Sequence, residues 1–333
     1  MISWISTADR RSDWSQARVV VAGLGRSGFA AADGLLELGA QVTVLDDSEA
    51  PELVEKATLL EVLDAQVRLG DGATTQLPPD TDLVIASPGW SASAPLLVQA
   101  QQLGVPIWGE VELAWRMTQP EGQVPWLGVT GARGRTTTIT MLAAIMEAAG
   151  VSAAVVGNIG RPVVEAILDE TPYDVFLVEL SGAQLRGINS VSLHSGAVLN
   201  LAPERPGSLA AADAGTIYQR VQQSCIYNVA DPATEHLVEE AEVIEGARAI
   251  GVTLCIPAPS MLGVVDDVLV DRAFIAQRRD SAVEIAKLSD LAAHDPDLVT
   301  DALAAGALAR SFGVAPQAVA EGLRLFTRRG AEG

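Results

Sequence analysis

The run Gly128-Val129-Thr130-Gly131-Ala132-Arg133-Gly134-Arg135-Thr136-Thr137-Thr138 constrains the fold of this chain more than any other stretch. Trp126 to Val129 reads as a buried strand, and Thr136 to Ala149 as a helix stopped by Gly150. A glycine-rich turn between strand and helix aims backbone N–H groups and the helix N-terminus at an anion, phosphate above all. Gly131, Gly134, Thr136 and Thr137 stand in that frame, but Arg135 occupies the position usually held by lysine. The positive charge is kept while its shape changes from a compact ammonium to a planar fork.

Around this turn, strands alternate with helices. Val19–Ala22 is followed by a helix from about Ser27 to Leu38 that ends at Gly39, then by Val42–Leu45. Leu83–Ala86 leads into Ser87-Pro88-Gly89, a helix from Pro95 to Leu103 and the strand Val105–Ile107. Beyond the phosphate-loop unit come strands at Val175–Val178, Gly196–Leu199 and Cys225–Val229. Helices are expected at Pro162–Leu168, Pro232–Ala241, Leu298–Ala309 and Pro316–Leu325. Leu262–Val270 reads as a hairpin turning at Asp266-Asp267, and Thr327–Gly333 as a polar tail. This rhythm predicts an α/β fold with parallel sheets covered on both faces. The polar, breaker-rich stretch Thr118–Gln123 serves as a linker. It divides a Rossmann-like domain, 1–118, from a P-loop-type α/β ATPase domain, 119–333.

With 333 residues and 49% hydrophobic residues the chain can build two cores. A net charge of −20 excludes a nucleic-acid surface and an anionic membrane as partners. No apolar run is long enough for a membrane span and the N-terminus carries no secretory signal pattern, which points to a cytoplasmic protein. Cys225 and Cys255 sit in apolar contexts and read as buried free thiols.

A second glycine turn, Gly23-Leu24-Gly25-Arg26-Ser27-Gly28, also joins a strand to a helix, and Asp46 ends the next strand. That spacing suits a nucleotide whose ribose hydroxyls reach the acid, or a tight turn that needs glycine for packing. Glu179, at the end of the apolar strand before Leu180-Ser181, could share Mg²⁺ with Thr136 or cap a turn. Asn158 in Gly157-Asn158-Ile159-Gly160 suits a turn or a substrate contact.

Taken together, these blocks resemble the Mur ligase family. Besides the two glycine turns, the resemblance rests on Ala86-Ser87-Pro88-Gly89, Gly109-Glu110-Val111-Glu112-Leu113, Gly157-Asn158-Ile159-Gly160 and Val178-Glu179-Leu180-Ser181. It continues through Leu199-Asn200-Leu201-Ala202-Pro203, Tyr227-Asn228-Val229-Ala230-Asp231 and Gly322-Leu323-Arg324-Leu325-Phe326, collinear over nearly the whole chain. The resemblance implies ATP-dependent amide-bond formation in peptidoglycan synthesis: ATP phosphorylates the alanyl carboxylate of UDP-MurNAc-L-Ala, and D-glutamate displaces the phosphate. It places Gly131, Gly134, Arg135, Thr136 and Thr137 on ATP phosphates, Mg²⁺ on Thr136 and Glu179, and Arg135 and Glu179 at the catalytic centre. It assigns the UDP substrate to Leu24, Gly25, Arg26, Ser27, Asp46, Ser87, Pro88, Gly89, Asn158, Ser181 and Gln184.

The departures fall at the chemistry. Arg133 and Arg135 replace the family's asparagine and lysine. Ser181-Gly182-Ala183-Gln184-Leu185 stands for S-S-F-Q-L, and Glu204-Arg205-Pro206-Gly207-Ser208 for D-H-L-D-x-H. Ala214 holds the position of a carbamylated lysine, Asp297–Asp301 that of H-N-x-x-N, and the chain ends where a third domain would begin. Removing one preorganised donor costs roughly 100- to 1,000-fold in rate. The expectation is therefore a catalytically disabled Mur ligase homologue for which ATP and Mg²⁺ are doubtful, still binding the UDP-sugar and acting beside another cell-wall enzyme. The alternatives are an active D-glutamate-adding ligase and, ranked last, an NAD-dependent oxidoreductase.

Overall fold

The computed structural model describes residues 2–118, 124–202 and 211–332. Residues 119–123 of the expected linker Thr118–Gln123 and the segment Glu204–Ser208 lie outside these described residues. Two compact units emerge. The first comprises Met1–Gln123, Arg161–Glu170 and Arg186–Ser190; the second comprises Val124–Gly160, Thr171–Leu185 and Val191–Gly333.

The first unit runs β1 (Arg18–Ala22), α1 (Arg26–Glu37), β2 (Gln41–Asp46), α2 (Pro51–Val62), β3 (Gln66–Leu69), β4 (Leu83–Ala86), α3 (Pro95–Gln102), β5 (Ile107–Trp108) and α4 (Glu110–Met117). All pairings are parallel, in the order β3-β2-β1-β4-β5. Val19 to Ala22 are buried on both faces, which explains their unbroken apolar run. Proline opens α2 and α3, where the missing N–H costs nothing. Sequence patterning misses α2 and β3. Val54, Leu59, Val62 and Leu63 are exposed on and just after α2, and β3 is an edge strand of alternating residues.

In the second unit, β6 (Trp126–Thr130), α5 (Arg135–Ala148) and β7 (Ala153–Gly157) precede α6 (Val163–Leu168), which packs in the first unit. There follow β8 (Val175–Glu179), α7 (Gly182–Arg186), β9 (Ser195–Val198), α8 (Ala211–Gly215), β10 (Ser224–Asn228), α9 (Pro232–Glu239) and β11 (Arg248–Val252). The last elements are β12 (Met261–Val265), β13 (Val268–Asp271), β14 (Val283–Lys287), α10 (Pro296–Ser311) and α11 (Pro316–Glu332). The nine-stranded sheet has the order β14-β13-β12-β11-β10-β9-β6-β8-β7. The expected β12–β13 hairpin is present, with Asp266 at φ 54 in its turn. Leu127, Ile139, Leu142, Ile145, Leu303 and Leu308 share one apolar core. A Cβ on Gly322 would lie 2.3 Å from Ile145 Cα, so glycine lets α11 lie against α5.

The C-terminal stretch corrects one expectation. Residues 327–332 continue α11 rather than forming a tail, and Arg329 there forms a paired contact with Glu147 at 2.8 Å. Polarity signalled a tail, yet one polar face suits a helix lying on α5. Cys225 is buried, which pushes its thiol up to about 12, but Cys255 is exposed. Among the described residues, no helix is long and apolar enough to cross a membrane.

Candidate nucleotide-phosphate site

The phosphate loop lies where β6 ends, flanked by β8 on one side and β9 on the other. The chain turns to opposite edges of the sheet at that point, and such switch points open a crevice at the carboxyl ends of parallel strands. Gly131 at φ 153 and Gly134 at φ 82 take conformations that disfavour a side chain. A Cβ on Gly134 would also meet Asp301 Oδ1 at 2.3 Å. The fourteen-residue α5 then begins at Arg135. Among the described residues, no acceptor takes the N–H groups of Gly134, Arg135, Thr136 and Thr137, which open toward an anion.

Beside these amides, Glu179 is only 1% exposed yet carries three polar neighbours. Thr136 Oγ1 donates to Oε2 at 2.9 Å and Asn158 Nδ2 donates to Oε1 at 2.7 Å. Arg135 Nε lies 3.7 Å from Oε1. Asn158 reaches this position through Gly157 at φ 100, where a Cβ would strike the Glu179 carbonyl at 2.3 Å. Ser181 and Gln184 lie nearby in sequence and bond one another: the Ser181 N–H and Oγ–H both donate to Gln184 Oε1 at 2.9 Å. Arg133 turns elsewhere, to Asp297 Oδ2 at 3.1 Å. Ala214 is fully buried.

The Thr136 hydroxyl and Glu179 carboxylate are hard oxygen donors of the kind Mg²⁺ takes along with phosphate oxygens and water. The residues present therefore fit that ion. Among the described residues, no cluster of three or more His, Cys, Asp or Glu side chains forms a metal cage.

A cavity of about 280 Å³ adjoins the loop, lined by Arg133, Thr137, Asn200, Asn228, Asp297 and Asp301. Burial, together with Asp297 and Asp295, pushes Asp301 up to about 7, while Arg133 opposes the shift. Sequence reasoning overlooked Asp301 as a site residue, since nothing in its helical pattern signals contact with Gly134. It also gave no role to Asn200, whose place directly after a strand was a usable signal.

In the first unit, Leu24, Gly25, Arg26, Ser27, Asp46, Ser87, Pro88 and Gly89 gather at the carboxyl ends of β1, β2 and β4, with the switch point between β1 and β4. Leu24 N–H donates to Asp46 Oδ2 at 2.7 Å and Ser48 N–H to Oδ1 at 2.9 Å. Ser87 Oγ donates to the Gly23 carbonyl at 3.2 Å. Asn158, Ser181 and Gln184 belong to the second unit, around Glu179.

Residues 17–109 match the family model for the Mur ligase MurD-like N-terminal domain. The UDP-N-acetylmuramoylalanine–D-glutamate ligase of Streptomyces avermitilis is 50% identical over 320 residues, covering 95% of this chain and 68% of that protein. The ligase of the same name from Streptomyces coelicolor is 51% identical over 323 residues, again 95% of this chain and 68% of the relative. The chain belongs to the Mur ligase family. Within it the chain is MurD-like and spans about two thirds of those relatives' length (68%). A solved Mur ligase structure, the UDP-N-acetylmuramate:L-alanyl-gamma-D-glutamyl-meso-diaminopimelate ligase from Neisseria meningitides, superposes with a TM-score of 0.57 at 17% identity. It covers 92% of this chain and 97% of that one, a likeness of fold.

These relatives overturn the expectation of a disabled homologue. Proteins identical to this MurD-like chain at about half of the aligned positions, over 95% of its length, are named ligases. The expectation rested on the altered motif residues, whose losses, even if far from additive, were taken to leave little activity. In three dimensions the loop keeps its glycine geometry, Thr136 stays on Glu179, and Arg135 leaves a cation at the mouth of α5.

Proposed function

We propose that this chain works as an ATP-dependent ligase that activates the alanyl carboxylate of UDP-MurNAc-L-Ala for attack by the amine of D-glutamate. The Thr136–Glu179 pair beside the open amides of α5 carries this reading. The amides of Gly134 to Thr137 would bind the terminal phosphates of ATP, and the Arg135 guanidinium would offset their charge. Thr136 and Glu179 would hold Mg²⁺, which when bound draws electron density from the phosphate oxygens. A carboxylate oxygen attacks the γ-phosphorus and ADP leaves. The amine then attacks the acyl carbon, phosphate departs, and the amine's proton goes to solvent. Leu24 to Ser27, Asp46 and Ser87 to Gly89 would hold the uridine diphosphate part of the UDP-sugar substrate.

Phosphate release and product formation with Mg-ATP, UDP-MurNAc-L-Ala and D-glutamate test the proposal. The expected result is release that requires all three and falls about 100-fold or more in Glu179→Gln. Release that ignores the UDP-sugar, or a Glu179→Gln variant of full activity, overturns it.

A further inference from the structure

Asn200 stands just beyond β9 and reaches across to the phosphate loop. Its Oδ1 accepts the N–H groups of Ala132 and Arg133, each at 3.0 Å. Its Nδ2 donates to the Arg133 carbonyl at 3.2 Å, and its own carbonyl accepts the Ala132 N–H at 3.1 Å. One carboxamide thus supplies both acceptor and donor to the loop between its two glycines, which an amide can do and a carboxylate cannot.

Asn200 is itself held from both sides. Asn228 Nδ2 donates to the Leu199 carbonyl at 3.0 Å, and the Leu201 N–H donates to Asp231 Oδ2 at 2.8 Å. Packing is close as well: a Cβ on Gly131 would lie 3.1 Å from Leu199 Cβ and 3.4 Å from Asn200 N. The loop amides are thereby divided. Those of Ala132 and Arg133 are taken up within the protein, while those of Gly134 to Thr137 remain turned outward.

We infer that Asn200 is the positioning residue of the phosphate loop: its carboxamide decides which backbone amides face the terminal phosphates of a nucleoside triphosphate, and so sets nucleotide affinity. This rests on the ATP-dependent reading above and adds a residue to which that reading assigned no role.

Calorimetric titration with Mg-ATP and, separately, with UDP-MurNAc-L-Ala is to be compared across the wild type, Asn200→Ala and Asn200→Asp. Hydrogen exchange at the Arg133 amide is to be followed in parallel. In Asn200→Ala the Mg-ATP Kd is expected to rise about tenfold or more, with UDP-ligand affinity within about twofold and Arg133 exchange about tenfold faster. Asn200→Asp retains the acceptor, so Arg133 should stay protected while the added charge weakens Mg-ATP binding. A folded Asn200→Ala variant with unchanged Mg-ATP affinity overturns the inference, as does an equal loss of both ligands. Should the wild type take up no Mg-ATP, the nucleotide reading itself fails. Arg133 exchange then judges the hold of Asn200 on the loop, acceleration supporting it and unchanged rates refuting it.

Discussion

Glu110 Oε1 accepts the Val164 N–H at 2.7 Å, while Oε2 of the same buried carboxylate has no hydrogen-bond partner among the described residues. Two residues along α4, Glu112 is equally buried but fully engaged, with Ser190, Asn189 and Arg116 all donating to it. Burial disfavours charge on both. For Glu112, the Ser190 hydroxyl and amide, the Asn189 amide and Arg116 outweigh it and hold the carboxyl below its usual range. For Glu110, burial wins over the amides of Val164 and Val163, and nearby Glu165 adds to it, so the group rises to about 7.

The raised Glu110 makes folding pH-dependent. Its native pKa of about 7 lies above the ordinary 4.5, so the folded state holds the proton more tightly than the unfolded chain. This group therefore costs stability progressively as pH rises from roughly 4.5 to 7, by on the order of 3 kcal/mol when fully ionised. Glu110→Gln keeps an acceptor for Val164 without the charge. Urea unfolding at pH 5.5 and pH 8 should show the wild type losing stability relative to the variant at the higher pH. A pH-independent difference between the two would contradict this.

Asp301 carries a related sign to the nucleotide site. Near pH 6 it is mostly neutral, and near pH 8 mostly ionised behind Gly134. A negative charge there repels phosphate. Mg-ATP affinity should weaken by roughly tenfold from pH 6 to pH 8, and Asp301→Asn should flatten that dependence. Titrations at the two pH values in wild type and variant decide the matter; equal slopes would exclude Asp301 as the cause.

Gly28 tests the first glycine turn. A Cβ there would lie 1.8 Å from the Gly23 carbonyl oxygen, a backbone atom with nowhere to swing. Gly28→Ala should destabilise the first unit by about 3 kcal/mol or more. Gly25 has open space at its Cβ position, and Gly25→Ala should cost far less. Denaturation midpoints for the pair give the comparison.

Asp271 and Arg310 tie the hairpin end to α10. Asp271 is 0% exposed, accepts Arg310 Nε at 2.9 Å, and takes the Ala273 and Phe274 amides on its other oxygen. Arg310→Met would strand a buried carboxylate and should cost about 3–5 kcal/mol. Arg310→Lys, which keeps the charge but not the fork, should lose less. Thermal unfolding of both variants provides the measurement.

Much of the architecture could be read directly. β1, β4, β6 and β8 are short apolar runs ending at glycine turns or acids, and strands buried on both faces demand that pattern. Edge elements such as β3 and β14 escaped notice because half-exposed strands need no such run. Within the site, Thr136 and Glu179 were recognisable because a loop hydroxyl and a strand-end acid are local marks of phosphate chemistry. The function of the whole chain was misjudged for a different reason: the altered motif residues stand out in the sequence, while the intact loop that surrounds them appears only in three dimensions.

Local chain chemistry alone determined the alternation of strand and helix, the two glycine turns and the family to which they belong, because backbone sterics and apolar periodicity act within a few residues of one another. Tertiary structure alone decided that Asn200 would hold Arg133, that Asp301 would stand against Gly134, and that Glu110 would meet Val164 while Glu112 met Asn189 and Ser190. Those contacts join residues separated by dozens to well over a hundred positions. Which side chains meet there follows from the order of strands in each sheet and the helices packed on them, and no local pattern encodes it.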